Sequence, residues 1–196
     1  MRQLLEGNGE EQRSLSPSTG TNFSLAAKFL LALASIASYA LVSSLAEAIE
    51  PMESVPPPGL WFPYVAGAIF GGFVLMPYVG TDRRVARIAA LWVAGALIYR
   101  LAVWFAVDGP LNYEVLVTFV ITGAGAAVLC ALAVALLAPR PLRPLALGLA
   151  LVAGALGGAS FEIKVASDEF MLLGHGCWQL LVCLALHAGF ERRPSP

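Results

Sequence analysis

Charge is what this sequence has least of. Of 196 residues only 13% are Asp, Glu, Lys or Arg, against 58% apolar, and the mean hydropathy is +0.75. A soluble domain carries about 25% charged residues, so a water-facing globular surface is excluded and the chain reads as a membrane protein. Its formal net charge of −1 gives no field to hold a polyanion, which excludes nucleic acid as a partner. Cysteine and histidine are scarce too. Cys130, Cys177 and Cys183 all fall inside apolar runs with no CxxC pair, so they read as buried small hydrophobes rather than disulfide or redox groups. His175 and His187 are twelve residues apart, about 18 Å along a helix, and cannot share one metal ion.

Long apolar runs are what the chain has in quantity. Six stand out: Phe23 to Ala46, Leu60 to Val79, Ile88 to Val107, Val115 to Ala138, Leu145 to Ile163 and Phe170 to Phe190. Each is about long enough to cross a hydrocarbon core of about 30 Å at 1.5 Å per residue. The runs are continuous, whereas barrel strands alternate apolar and polar positions, so the expected fold is an all-α integral membrane bundle of six transmembrane helices. That domain covers residues 23–190. Residues 1–22, rich in Gly, Ser, Thr, Glu and Gln without an apolar face, are expected to form a disordered cytoplasmic tail, and 191–196 a short cytoplasmic tail.

Pro- and Gly-rich breaks such as Pro56-Pro57-Pro58-Gly59 and Asp108-Gly109-Pro110 separate the runs. None of these loops has room for a folded extramembrane domain. Basic residues sort by side: Arg2, Arg13, Lys28, Arg83, Arg84, Arg87, Arg140, Arg143, Arg192 and Arg193 fall on one, Lys164 on the other. The positive-inside rule then places both termini in the cytoplasm and the protein in a cell inner membrane as a multi-pass protein. Lys28, the apolar stretch after it and Ala46-Glu47-Ala48 resemble a signal peptide with a cleavage site after Ala48. The stretch overruns the usual length of about 7–15 residues, which favours an uncleaved anchor.

Two polar positions inside the runs are candidates for function. Arg100 lies about 10 Å deep in the third run, where an unpaired guanidinium costs about 2.5–3.5 kcal/mol. It either snorkels beside Tyr99 and Trp104, or faces a polar pocket with Glu47, Glu50 or Glu162 within reach and binds an anion. His175 sits at a similar depth in the last run, and Gln179 at i+4 shares its helix face. The candidate polar pocket therefore comprises Arg100, His175, Gln179, Glu162 and Glu50.

The stretch Gly174-His175-Gly176-Cys177-Trp178-Gln179-Leu180-Leu181 resembles the final helix of the alkaline ceramidase and progestin-receptor-like membrane hydrolases, whose pattern runs His-x-x-Trp-His. The resemblance covers roughly the last thirty residues and implies a seven-span lipid hydrolase with a zinc ion on His175. The pattern is incomplete here. Gln179 stands at the second histidine position, the earlier runs contain no histidine, and catalytic zinc needs three protein ligands.

Small residues recur as Gly67-x-x-x-Gly71 in the second run and Gly154-x-x-x-Gly158 in the fifth. They mark close helix contacts, inside the bundle or between copies. Pro63 and Pro77 lie near the two ends of the second run, where each removes a backbone hydrogen bond. No nucleotide motif, paired intramembrane carboxylates or activated nucleophile is present. The leading expectation is a protein that acts by binding without its own chemistry or cofactor, as an accessory subunit or protective partner, associating with the bilayer and with a membrane-protein partner or second copy through its glycine faces. The alternatives are a divergent ceramidase-like hydrolase with zinc, and a small transporter or lipid binder using Arg100.

Overall fold

The computed structural model of the chain describes residues 23–49, 58–79, 84–107, 114–137, 143–162 and 169–191. The expected 1–22 tail lies outside the described residues, as does the expected C-terminal tail apart from its first position. All described elements are helical: α1 (Leu25–Ile49), α2 (Pro58–Phe70), α3 (Arg84–Val107), α4 (Val115–Leu137), α5 (Pro144–Ala159) and α6 (Glu169–Glu191). Five stretches are long and apolar enough to cross a membrane: Leu25–Ile49, Leu60–Tyr78, Val85–Val107, Val115–Leu137 and Leu173–Phe190. The protein is a membrane-embedded, multi-pass helical bundle. The fifth expected span is shorter than the sequence suggests. Helix α5 has 16 residues, about 24 Å at helical rise, and Gly157 and Gly158 give way to a 3-10 turn over Ser160–Glu162.

Helix α1 starts where Ser24 caps it, its Oγ accepting the amide of Ala27 at 3.1 Å. It remains helical through Ala46-Glu47-Ala48. Helix α2 passes through Pro63 without ending, then widens to a π-turn over Gly71–Leu75 and tightens to a 3-10 turn over Met76–Tyr78. Pro77 has no N–H to give to the preceding turn, and its ring collides with an ordinary α-helical carbonyl four residues back. The change of winding relieves that conflict ahead of the exit at Val79, whose backbone is extended.

Two glycine seats set the architecture. A methyl group on Gly67 would strike the carbonyl oxygen of Gly95, one on Gly95 would strike that of Gly67, and one on Gly71 would strike that of Leu91. Helix α2 therefore lies backbone to backbone on α3. The same device joins α5 to α4: Gly154 and Gly123 exclude a Cβ from each other, and Gly158 seats on the carbonyl of Phe119. With no side chain between them, the backbones gain dispersion contacts and weak Cα–H···O bonds that lipid cannot match. Both GxxxG faces expected from the sequence are thus occupied within the chain.

Helix α6 closes the bundle. Trp178, Val182, Cys183, Leu186 and Phe190 are buried in one apolar cluster with Phe70, Leu75, Cys130, Val134 and Ala150. Trp178 donates its indole N–H to the carbonyl of Gly123 at 3.2 Å, fixing α6 to the α4/α5 seat. Side chains on the outer face, such as Leu41, Trp92, Leu97 and Leu136, are exposed, which suits contact with acyl chains and would be a liability in water. One expectation is corrected here. Cys130 and Cys183 are buried, but Cys177 is exposed, because two residues beyond His175 on a helix puts it on nearly the opposite face.

Candidate functional site

Between the two glycine-seated hairpins lies a cavity of about 340 Å³. Its wall takes residues from α1 to α6: Tyr39, Phe62, Pro63, Phe70, one face of α3 (Gly95, Ile98, Tyr99, Ala102, Val103, Ala106 and Val107), Phe119, Thr122, Gly123 and Ala126 of α4, Gly158, Phe161, His175 and Trp178. No Asp, Glu, Lys or Arg is among them. The volume lies at the lower end of the range of about 300–1,000 Å³ found for small-molecule sites, and the aromatic wall with a few polar atoms has the composition such sites share.

Polarity in the cavity is concentrated at His175, which is 2% exposed. The Tyr39 ring of α1 stacks on the imidazole with centroids 4.0 Å apart, and the Tyr99 ring of α3 meets it edge-on at 5.0 Å. The Tyr99 hydroxyl lies 2.9 Å from Nδ1 and 3.0 Å from Nε2. One nitrogen at a time can be its partner. The Tyr39 and Tyr99 hydroxyls are hydrogen-bonded to each other. Phe161 and Trp178 complete the surround at 6.2 and 6.5 Å from the imidazole centroid.

These three side chains hold three polar hydrogens, two on the phenols and one on a neutral imidazole. Two are consumed by the Tyr39–Tyr99 and Tyr99–His175 bonds. One donor hydrogen of the trio is left over, whichever way the chain of bonds runs. Across the same cavity wall, Thr122 Oγ1 of α4 is buried and unpartnered. The site thus presents hydrogen-bond donors in an uncharged, aromatic surround, an arrangement suited to holding an acceptor oxygen.

Local packing holds this geometry. The Ser160 hydroxyl lies between the carbonyl oxygens of Gly157 at 2.5 Å and Gly174 at 3.2 Å, tying the end of α5 to the turn of α6 that carries His175. Phe161, just beyond, stacks on Phe119 of α4 with centroids 5.6 Å apart.

The residues singled out from sequence do not all meet. His175 lines the cavity and Gln179, 0% exposed, lies one turn further along α6 but is not part of the wall. Arg100 is half-buried and does not line the cavity; the inward position on that turn of α3 belongs to Tyr99. Glu50 and the side chain of Glu162 lie outside the described residues. Tyr39, Tyr99 and Thr122 were not among the expected site residues. The ring neighbours of His175 are aromatic, and no group of three or more His, Cys, Asp or Glu residues that could hold a metal ion gathers among the described residues. No protein-family model, curated protein or solved structure matches the chain.

Proposed function

We propose that the protein is a six-span multi-pass protein of a cell inner membrane, with both termini cytoplasmic, that acts by binding and has no chemistry of its own. Its ligand is a neutral lipophile carrying an acceptor oxygen such as a ketone, ester or quinone carbonyl. The oxygen rests on the Tyr39–Tyr99–His175 trio, the adjoining part of the molecule fills the aromatic cavity, and the remaining chain lies among the surrounding acyl chains. The observation that carries this reading is the pairing of an uncharged aromatic cavity of about 340 Å³ with a hydrogen-bonded trio that keeps one donor unused. An anion would meet no cation on this wall, and neither the zinc hydrolase nor the Arg100 anion site finds a comparable arrangement among the described residues.

A matched pair of probes tests it. In detergent, 2-undecanone raises the Tm of the purified protein progressively as its concentration passes its Kd, whereas n-undecane raises it less. Tyr99→Phe keeps the ring, removes the hydroxyl and abolishes the difference between the two. Equal shifts from ketone and alkane in the wild type would refute the reading.

A further inference from the structure

Among the described residues, polar side chains are buried along a second line, the seam between α1 and α6. Lys28, Ser35 and Gln179 are 1%, 0% and 0% exposed. At one end of the seam Lys28 Nζ lies 3.5 Å from His187 Nδ1 and 4.5 Å from the centre of the Tyr78 ring, whose hydroxyl donates to the Cys183 carbonyl at 3.2 Å. At the other end Tyr39 stacks on His175. Between them, Ser35 Oγ and both amide atoms of Gln179 have no hydrogen-bond partner.

The register of the two helices brings these unpartnered groups to the same level. Lys28 beside His187 and Tyr39 beside His175 fix α1 and α6 as antiparallel. Ser35 precedes Tyr39 by four residues and Gln179 follows His175 by four. Each is therefore displaced from the stacked rings by about 6 Å at helical rise, in the direction of Lys28. On α1 the fully buried positions between Lys28 and Tyr39 are Ala32 and Ser35, both small, while Ile36 lies against Gly176 of α6.

A carboxamide surrounded by hydrocarbon is costly unless its N–H and C=O are bonded, and in membrane interiors ordered water supplies bonds that side chains do not. Ser35 and Gln179 together offer two N–H hydrogens, one hydroxyl and a carbonyl oxygen, enough for the roughly three partners that a buried water takes. We propose that Ser35 and Gln179 form a hydration site inside the bundle, holding bound water in the α1/α6 seam. The site links the Lys28–His187 pair to the Tyr39–Tyr99–His175 trio in one polar thread about 16 Å long on α1. It is independent of whether the cavity binds a lipophile.

The test uses isotopically labelled full-length protein in bilayers. Polarisation transfer from water to the Gln179 side-chain amide is detected at short mixing times in the wild type and is lost in Ser35→Val, which fills the space with a methyl pair. Gln179→Met, close in shape, strands Ser35 and lowers the Tm by roughly 2–4 °C. Adding Ser35→Ala to Gln179→Met restores part of that loss, a non-additivity expected of two groups sharing a bound molecule. A Gln179 amide that receives no polarisation from water overturns the proposal, and so does a rise in Tm for Gln179→Met, the signature of an amide that is merely stranded.

Discussion

Tyr39 lies flat against His175, ring centroids 4.0 Å apart and planes inclined by 28°, although 136 residues separate them in the chain. The stack joins the first helix to the last at the polar end of the cavity. Tyr99 then ties both to α3 through its hydroxyl. Three helices are positioned at this level by ring contacts and two hydrogen bonds.

Loss of the Tyr99 hydroxyl should be felt in stability as well as in binding. Tyr99→Phe removes the bonds to His175 and to Tyr39, each worth about 0.5–1.5 kcal/mol net. Denaturation in graded SDS is expected to show a destabilisation of about 1–3 kcal/mol. His175→Phe leaves the stack possible but removes the nitrogen partner, and falls in the same range.

The glycine seats give a sharp contrast between near neighbours on one helix. A Cβ at Gly123 would collide with the Gly154 carbonyl, while one at Gly125 meets nothing within 4 Å. Gly123→Ala is expected to cost about 1–3 kcal/mol through overpacking against rigid backbone. Gly125→Ala is expected to be neutral or to stabilise by about 0.5–1 kcal/mol, since alanine is the better helix residue. Comparing the two in the same SDS titration checks the α4/α5 contact directly.

Cysteine reactivity separates the three thiols. Cys177 is exposed while Cys130 and Cys183 are buried. With N-ethylmaleimide, a small apolar reagent, the folded protein should take up about one equivalent, all on the Cys177 peptide, and the SDS-unfolded protein about three. Fast labelling of Cys130 in the folded state would contradict the packing of α4 against the core.

Trp178 contributes through a single polar atom. Trp178→Phe keeps an aromatic ring beside Phe70 but loses the 3.2 Å bond to the Gly123 carbonyl. A destabilisation of about 1–3 kcal/mol is expected, since a buried carbonyl loses its side-chain partner. Trp178→Leu, which also removes ring area, should cost more than Trp178→Phe in the same assay.

Much of the helical layout was legible because it depends on local composition. The run from Val115 to Ala138 became α4 over Val115–Leu137, and the run from Ile88 began earlier, at Arg84, because the polar turn ahead of it is also helical. The shortness of α5 was harder to see, since Ser160 and Phe161 look apolar enough to continue it yet turn back to meet Gly174 and Phe119. His175 was visible as a lone imidazole within an apolar run. Its partners were not, because Tyr39 and Tyr99 lie on other helices and a tyrosine in a membrane helix ordinarily signals an interface. Arg100 drew attention by its charge, but one residue is a 100° step on a helix, and that step gives the inward place to Tyr99. Gly95 and Gly123 stand alone in sequence, so only contact with a facing GxxxG pair distinguishes them from Gly125.

The proposed binding site is tested most directly by locating a bound lipophile. A long-chain 2-alkanone carrying a diazirine next to its carbonyl, photolysed with the protein in bilayers and mapped by peptide mass spectrometry, is expected to label cavity-lining residues such as Val103 and Ala106 of α3 and Thr122 and Ala126 of α4. Tyr99→Phe should remove that labelling. Labelling confined to outer-face positions such as Trp92, Leu97 and Leu136, and unchanged by Tyr99→Phe, would contradict the assignment.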